Sequence, residues 1–180
     1  MIETALPDVV RIAIEPFRDE RGFFVEPWNK RDFAAAGLDL EFVQEGHSRS
    51  TRGVLRGLHY QDRTAPMGKL VRCTVGAIFD VAVDIRSASP ACGKWVGVEL
   101  SAANMEQLYV PPGFAHGFAA LTDVVEVQYK QTGFYAPATE GIIRWNDPTI
   151  GITWPIGEPI LSTKDRDAQS FAEYLRNPRW

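Results

Sequence analysis

The chain has only two cysteines, Cys73 and Cys92, and no Cys-x-x-Cys pair, so neither a disulfide framework nor a thiolate metal site is expected. No run is long and apolar enough to span a bilayer, and no apolar stretch follows a basic start, which excludes a membrane span and a secretory leader from the reading. Positive charge is not in excess. Nineteen Lys and Arg stand against 23 Asp and Glu, for a net charge of −4, whereas duplex-binding domains carry a basic stripe. A nucleic-acid partner is therefore not expected, although a few Arg and Lys gathered locally would still serve an anionic small ligand. Repeats, low-complexity tracts, linkers and a glycine-rich nucleotide fingerprint are all absent. These absences describe a cytoplasmic protein with two reduced thiols, folded as a single domain over residues 1–180.

With 45% hydrophobic and 23% charged residues in 180, the chain can bury a core unaided. Scattered Gly and Pro separate short extended runs. Asp19-Glu20-Arg21-Gly22 reads as a turn before an extended Phe23-Phe24-Val25-Glu26, and residues 30–37 read as a short helix ended by Gly37. Strands are predicted at 40–44, 53–60, 69–75, 77–85, 95–100, 107–110, 117–121 and 126–131, with 69–75 and 77–85 joined as a hairpin at Gly76. A further short helix is predicted after Asp167, stopped by Asn177-Pro178. Many short strands at regular spacing indicate an all-β sandwich or barrel.

Several residues carry chemistry. His59 lies in a strand candidate, where strict alternation puts Leu55, Gly57 and His59 on one face and Arg56, Leu58 and Tyr60 on the other. Taken alone it reads as a structural histidine; with a carboxylate orienting one ring nitrogen it is a competent general base. Asp165 could be that carboxylate or merely part of an exposed charged turn. His116, among Pro and Gly, reads as a rim turn entering a strand, and His47 as part of a loop. Tyr129 and Tyr135 are either packed aromatics or proton donors held dry. Lys69, at the start of an apolar run, is either a surface lysine or a group that steadies a developing enolate oxygen. Asp84 ends the run Val81-Ala82-Val83, at a solvated strand end or in the site.

Asp19 to Glu26, His47 to Ser50, Arg52 to Gln61, Gly68 to Arg72, Asp80 to Arg86, Pro112 to Phe118, Trp145 to Pro148 and Leu161 to Asp165 form an ordered set of motifs. Together, over nearly the whole chain, they resemble the dTDP-4-dehydrorhamnose 3,5-epimerase family. The resemblance implies a cupin-type jelly-roll barrel with a few short peripheral helices. It implies a homodimer, with sites shared between subunits and no metal or other cofactor; metal-binding cupins commonly carry a His-x-His pair, and here Gln61 stands two residues after His59. The implied activity is inversion at C3 and C5 of dTDP-4-keto-6-deoxy-glucose, giving dTDP-4-keto-rhamnose. Relatives that invert only C3 or only C5 share most of these motifs, and a cupin that binds sugar nucleotides without turnover is a further alternative.

By the same resemblance, His59 matches the base, Asp165 its dyad partner, Tyr129 the acid on the opposite face, and Lys69 the group near the C4 oxygen. Arg56, His116, Lys164, Glu140, Gln44 and Ser48 match substrate-binding positions, with Arg56 near the diphosphate. Tyr135 matches a ring stacking on thymine, and Arg21, Phe24 and Glu26 match nucleotide contacts made across the dimer. Two positions depart from the family pattern. Gly46 stands where asparagine is common, and Met67 where glutamine is usual.

Overall fold

A computed structural model describes residues 1–180. In chain order the elements are β1 (Ile2–Glu3), β2 (Val10–Ile12), β3 (Phe17–Asp19), β4 (Gly22–Phe24), α1 (Lys30–Ala35), β5 (Gln44–Thr51), β6 (Leu55–Gln61), β7 (Lys69–Val75) and β8 (Ala77–Asp84). There follow β9 (Trp95–Ser101), β10 (Gln107–Val110), β11 (Phe114–Ala120), β12 (Val124–Gln131), β13 (Glu140–Ile142), α2 (Thr163–Arg166) and α3 (Phe171–Arg176). One antiparallel sheet has the order β1-β2-β10-β7-β12-β5 and a second the order β13-β6-β11-β8-β9, while β3 pairs only with β4. From β5 to β12 the chain changes sheet at every connection except β8–β9, which gives the expected jelly roll.

Apolar side chains of both sheets meet between them. Val71, Leu108, Ile78, Phe118, Val125 and Val127 form the centre of this inner core. Full burial of such a side chain contributes about 1.5–3 kcal/mol. The outer face of the second sheet is also apolar, and the C-terminal segment covers it: Trp154, Phe171 and Tyr174 pack on Leu55, Val83 and Ile85. The Tyr174 hydroxyl donates to the Ile85 carbonyl at 2.6 Å, and Ser170 and Glu173 close a capping box at the start of α3.

Three expectations are corrected. Gly76 does not close a hairpin, because β7 and β8 lie in different sheets and the glycine carries the chain from one to the other. Two apolar runs around a glycine look the same in either arrangement. Residues 40–43 form no strand; Leu40 and Phe42 pack with Trp28 and Phe33 over Ile12, Leu70 and Tyr109 on the outside of the first sheet. His47, read in a loop, lies instead in β5, an eight-residue strand. That strand is an edge, charged on its outer face and polar on its inner one, so it lacks the apolar alternation by which strands are recognised.

A fourth departure from simple pattern shapes the site. His59 pairs with His116, but Arg56 pairs with Phe118, so β6 holds one extra residue against β11. This bulge is centred on Gly57, whose φ is +133° and whose position leaves no space for a side chain: a Cβ there would lie 2.5 Å from Gly117 Cα. Strict alternation fails here, and Arg56 and His59 both line the same cavity. Gly57→Ala combines a disfavoured φ with a backbone clash and is expected to destabilise the fold by about 3 kcal/mol. Urea unfolding measures this, and a variant within about 0.5 kcal/mol of the parent would show that the bulge does not need glycine.

Candidate active site

The inner core fills only part of the space between the sheets. The remainder is an open cavity of about 570 Å³, within the usual range for small-molecule sites. The second sheet contributes His59 and His116, paired in register on β6 and β11. The first contributes Lys69 from β7 and Tyr129 from β12. A ligand in the cavity therefore lies with the histidines on one side and the lysine and tyrosine on the other.

His59 Nε2 lies 2.5 Å from Asp165 Oδ1. Asp165 is buried in the first turn of α2, so of its two readings the exposed charged turn does not hold. Its second oxygen accepts a 2.7 Å hydrogen bond from Ser162, the residue that caps the helix. Burial works against its charge, but the bonds from His59 and Ser162 outweigh it and hold the carboxyl below its ordinary value. An ionised carboxylate can only accept, so His59 donates from Nε2 and Nδ1 is the basic nitrogen. Burial also lowers the His59 pKa, opposed by Asp165 and assisted by the positive charge of Lys69. The product of these influences is an imidazole that is neutral at physiological pH.

On the facing sheet, burial pushes the Lys69 ammonium down to about 8, with Asp80 and Glu140 resisting the shift and Lys164 adding to it. Asp80 is fully buried; one oxygen accepts from His116 Nε2 at 2.8 Å, and the other has no hydrogen-bond partner. Asp84, at the end of the same strand, is the acidic residue that the sequence offers for a solvated end or for the site. That carboxylate is neither solvated nor in the cavity; it is buried against Arg86 and Ser89. Asp80 is the acidic residue of this strand that bears on the site, holding His116 from behind the cavity wall, and an aspartate in the middle of an apolar run is the signal that could have found it, since such a charge must be paired. Ser162 was missed as well, although the spacing Ser162-x-x-Asp165 is that of a helix cap and could have marked it.

The rim is more polar. Arg56 donates from Nε to Ser50 Oγ at 3.1 Å and from Nη2 to the Arg49 carbonyl. Glu140 receives Lys164 Nζ at 3.0 Å and the Tyr135 hydroxyl at 3.2 Å. Gln44 bonds Gln131 and accepts the Tyr135 backbone N–H, which fixes the loop that carries the exposed Tyr135 ring. Thus His59, Asp165, Tyr129, Lys69, Gln44, Arg56, His116, Tyr135, Glu140 and Lys164 all line one cavity. Ser48 does not reach it and keeps a buried hydroxyl without a partner. Arg21, Phe24 and Glu26 also stand away from the cavity of their own chain, on or beside the β3–β4 hairpin. Met67 lines the cavity as a buried apolar group. His47 faces away and pairs with Glu126, so each of the three histidines spends Nε2 on a different carboxylate.

Residues 3–173 match the family described as dTDP-4-dehydrorhamnose 3,5-epimerase. A protein of that name from Shigella flexneri is 53% identical over 174 residues, which is 96% of each chain. The structure is similar, with a TM-score of 0.91, to a dTDP-6-deoxy-D-glucose-3,5-epimerase from Legionella pneumophila in complex with dTDP-4-keto-L-rhamnose; identity is 44%, over 95% of this chain and 92% of that one. It is also similar, with a TM-score of 0.93 and 33% identity over 98% and 90% of the two chains, to a 3'-monoepimerase from Streptomyces bikiniensis in complex with dTDP-quinovose. With agreement in sequence and fold over almost its whole length, the chain belongs to the dTDP-4-dehydrorhamnose 3,5-epimerase family.

Proposed function

We propose that this protein inverts C3 and C5 of dTDP-4-keto-6-deoxy-glucose to give dTDP-4-keto-rhamnose. The observation that carries the reading is the pairing of a neutral, carboxylate-oriented His59 on one sheet with Tyr129 and Lys69 on the sheet facing it. The C4 ketone makes the C–H bonds at C3 and C5 acidic. His59 takes a proton from one of these carbons, and the electron pair moves to the C4 oxygen as an enolate. The Lys69 ammonium stabilises that oxygen, an interaction worth about 3–4 kcal/mol when such a donor is well placed. Tyr129 then delivers a proton to the carbon from the opposite face, and both groups reset by exchange with solvent. Repetition at the second carbon completes the reaction. Arg56 suits the diphosphate through its planar donors, and the exposed Tyr135 ring suits stacking on thymine, with His116, Lys164, Glu140 and Gln44 fixing the remaining polar groups.

The active species is a homodimer in which the β3–β4 hairpin of one subunit completes the cavity of the other. What supports this is the hairpin itself. All six strand residues are exposed, Phe17 at 74% and Phe24 at 65%. Large apolar side chains placed together in the open mark an interaction surface. Arg21, Phe24 and Glu26, which do not reach their own cavity, are placed by this arrangement at the partner's nucleotide. Residues 1–180 act as one domain. No helix of the chain is long and apolar enough to cross a membrane, and the free Cys73 and Cys92 suit a reducing cytoplasm.

Solvent deuterium tests the reaction directly. Label at both C3 and C5 is expected; label at one carbon would make this a mono-epimerase, and label at neither a sugar-nucleotide binder. His59→Ala is expected to lower both exchange and turnover by at least about a hundredfold with the fold intact. Tyr129→Phe is expected to lower inversion much more than exchange, and equal losses would reduce Tyr129 to a positioning role.

The protonation states define a pH window. His59 works as the neutral base, and its pKa is lowered, so kcat/KM is expected to rise through an acid limb below the ordinary imidazole value of 6.5. Lys69 works as the ammonium, so activity is expected to fall as pH passes about 8. A basic limb that stays in place in Lys69→Arg would assign it to another group.

Shared sites are tested by complementation. An Arg21→Ala chain and a His59→Ala chain, unfolded and refolded together, give mixed dimers in which one site is free of both changes. Activity above either parent alone is the expected result. Mixed dimers that form without any recovery would mean that Arg21 serves its own subunit.

A further inference from the structure

Gln61 ends β6 two residues after His59, and its polar side chain is buried. A buried amide must spend its donors and acceptor on a partner. Nε2 donates to the Ala65 carbonyl at 2.8 Å and to the Phe134 carbonyl at 3.2 Å, and Oε1 accepts the Ala136 backbone N–H at 2.7 Å. A side-chain amide has two N–H groups. Both are taken by backbone here, so Gln61 has no donor left for a ligand although it lines the cavity. Two of its three bonds bracket Tyr135. Residues 134–136 belong to no strand or helix, so no ladder satisfies their backbone groups and side chains must do so. From the first sheet, Gln44 accepts the Tyr135 N–H at 3.0 Å. Glu140, opposite Gln61 in the β6–β13 register, accepts the Tyr135 hydroxyl at 3.2 Å. The ring is 49% exposed, so these polar contacts carry much of its placement.

We propose that Gln61 is a positioning residue for nucleotide binding, fixing residues 134–136 in advance so that the Tyr135 ring already stands where the base stacks. This rests on the reading of Tyr135 as the ring that stacks on thymine. A loop that must be ordered on binding takes that cost out of the affinity, and a loop held beforehand does not. The bond to Ala65 ties the same amide to a second rim loop, which is joined to the first by the Gly68 N–H and the Thr132 hydroxyl at 2.8 Å. One side chain thus fastens both loops to the strand that carries His59. His59, Asp165, Lys69 and Tyr129 make no hydrogen bond to it. Removing the amide therefore loosens the nucleotide's platform and leaves proton transfer in the filled site to continue.

Gln61→Met, close in length but without the amide, tests this. The Kd for dTDP, KM, kcat and solvent deuterium exchange at saturating substrate are measured on one preparation. The expected result is Kd and KM raised by about tenfold, with kcat and exchange within about threefold of the parent. Tyr135→Ala is expected to raise Kd at least as far. Adding Gln61→Met to Tyr135→Ala is expected to raise it by less than about twofold more, because both changes act through one ring. A glutamine that only supports the fold would not show that dependence. Kd within about twofold of the parent in Gln61→Met, a loss of kcat with KM unchanged, or a full tenfold loss repeated in the Tyr135→Ala background would overturn the proposal. If Tyr135→Ala itself binds dTDP normally, the stacking assignment fails and this proposal with it; if Tyr135→Ala is impaired and Gln61→Met is not, only the role of Gln61 fails. Should Gln61→Met not fold, Gln61→Glu, which keeps the acceptor for Ala136 and loses the two donors, is expected to fold and to show the same pattern. Failure of both to fold would make Gln61 a support of the fold alone and overturn the proposal.

Discussion

The hydrogen bond between His59 and Asp165 joins residues 106 positions apart, and most of the surrounding structure serves to bring them together. Asp165 belongs to a four-residue helix that would not form alone. It is delivered by the C-terminal segment, which lies along β6 through a bridge between Val54 and Ile160, with backbone bonds from Leu55 to Ile160 and from Ile160 to Gly53. Farther along, Phe171 and Tyr174 bury the same segment on the outer face of the second sheet. An apolar surface on the outside of the sandwich thus holds a carboxylate at the cavity. The bulge at Gly57 turns His59 toward it, so sheet, tail and irregular strand converge on one contact.

The electrostatics follow from burying that contact. Two charged groups without partners would be costly in such a place, and the site avoids this in two ways. The Asp165 carboxylate is satisfied by His59 and Ser162, which lets it stay ionised while His59 stays neutral. Lys69 is held less firmly: Asp80 and Glu140 favour its charge, but desolvation prevails and brings it to about 8. An ammonium in that range remains mostly charged near neutrality and is a stronger hydrogen-bond acid than an exposed lysine. The environment that weakens the lysine's hold on its proton therefore also suits it to a developing oxyanion.

Much of this was legible in the sequence wherever a local rule applies. The helix at Lys30 to Ala35 is readable from the Gly37 that closes it, and most strands from their apolar runs. Local rules failed where tertiary context decides. Gly76 marks a bend, but nothing near it tells whether the next strand returns to the same sheet. Gln44 to Thr51 carries no apolar alternation, because an edge strand facing a polar cavity and solvent has no apolar face to show. Asp165 gave no sign of burial, since its partner lies far off in sequence. Arg56 and His59 were assigned to opposite faces because alternation assumes an unbroken ladder, and one extra residue in β6 removes that assumption. Resemblance to a family assembled the site residues where periodicity could not.

The proposed arrangement also bears on how one site could treat two carbons. C3 and C5 flank the same ketone, so abstraction at either one sends charge to the same oxygen. Lys69 can therefore serve both steps without moving, provided that oxygen stays beside it while the ring turns to present the second carbon. The demand for rearrangement falls on the sugar and not on the protein. His59 is pinned by Asp165 and the bulge, and Tyr129 packs against the inner core. A rigid base and a rigid acid on opposite sheets have one consequence. Whether both centres are inverted depends on the freedom of the sugar within the cavity, and the nucleotide contacts at the rim limit that freedom. On this reading the chemistry at each carbon is the same, and the cavity wall, to which Met67 and Phe118 belong, bounds the space in which the ring would turn.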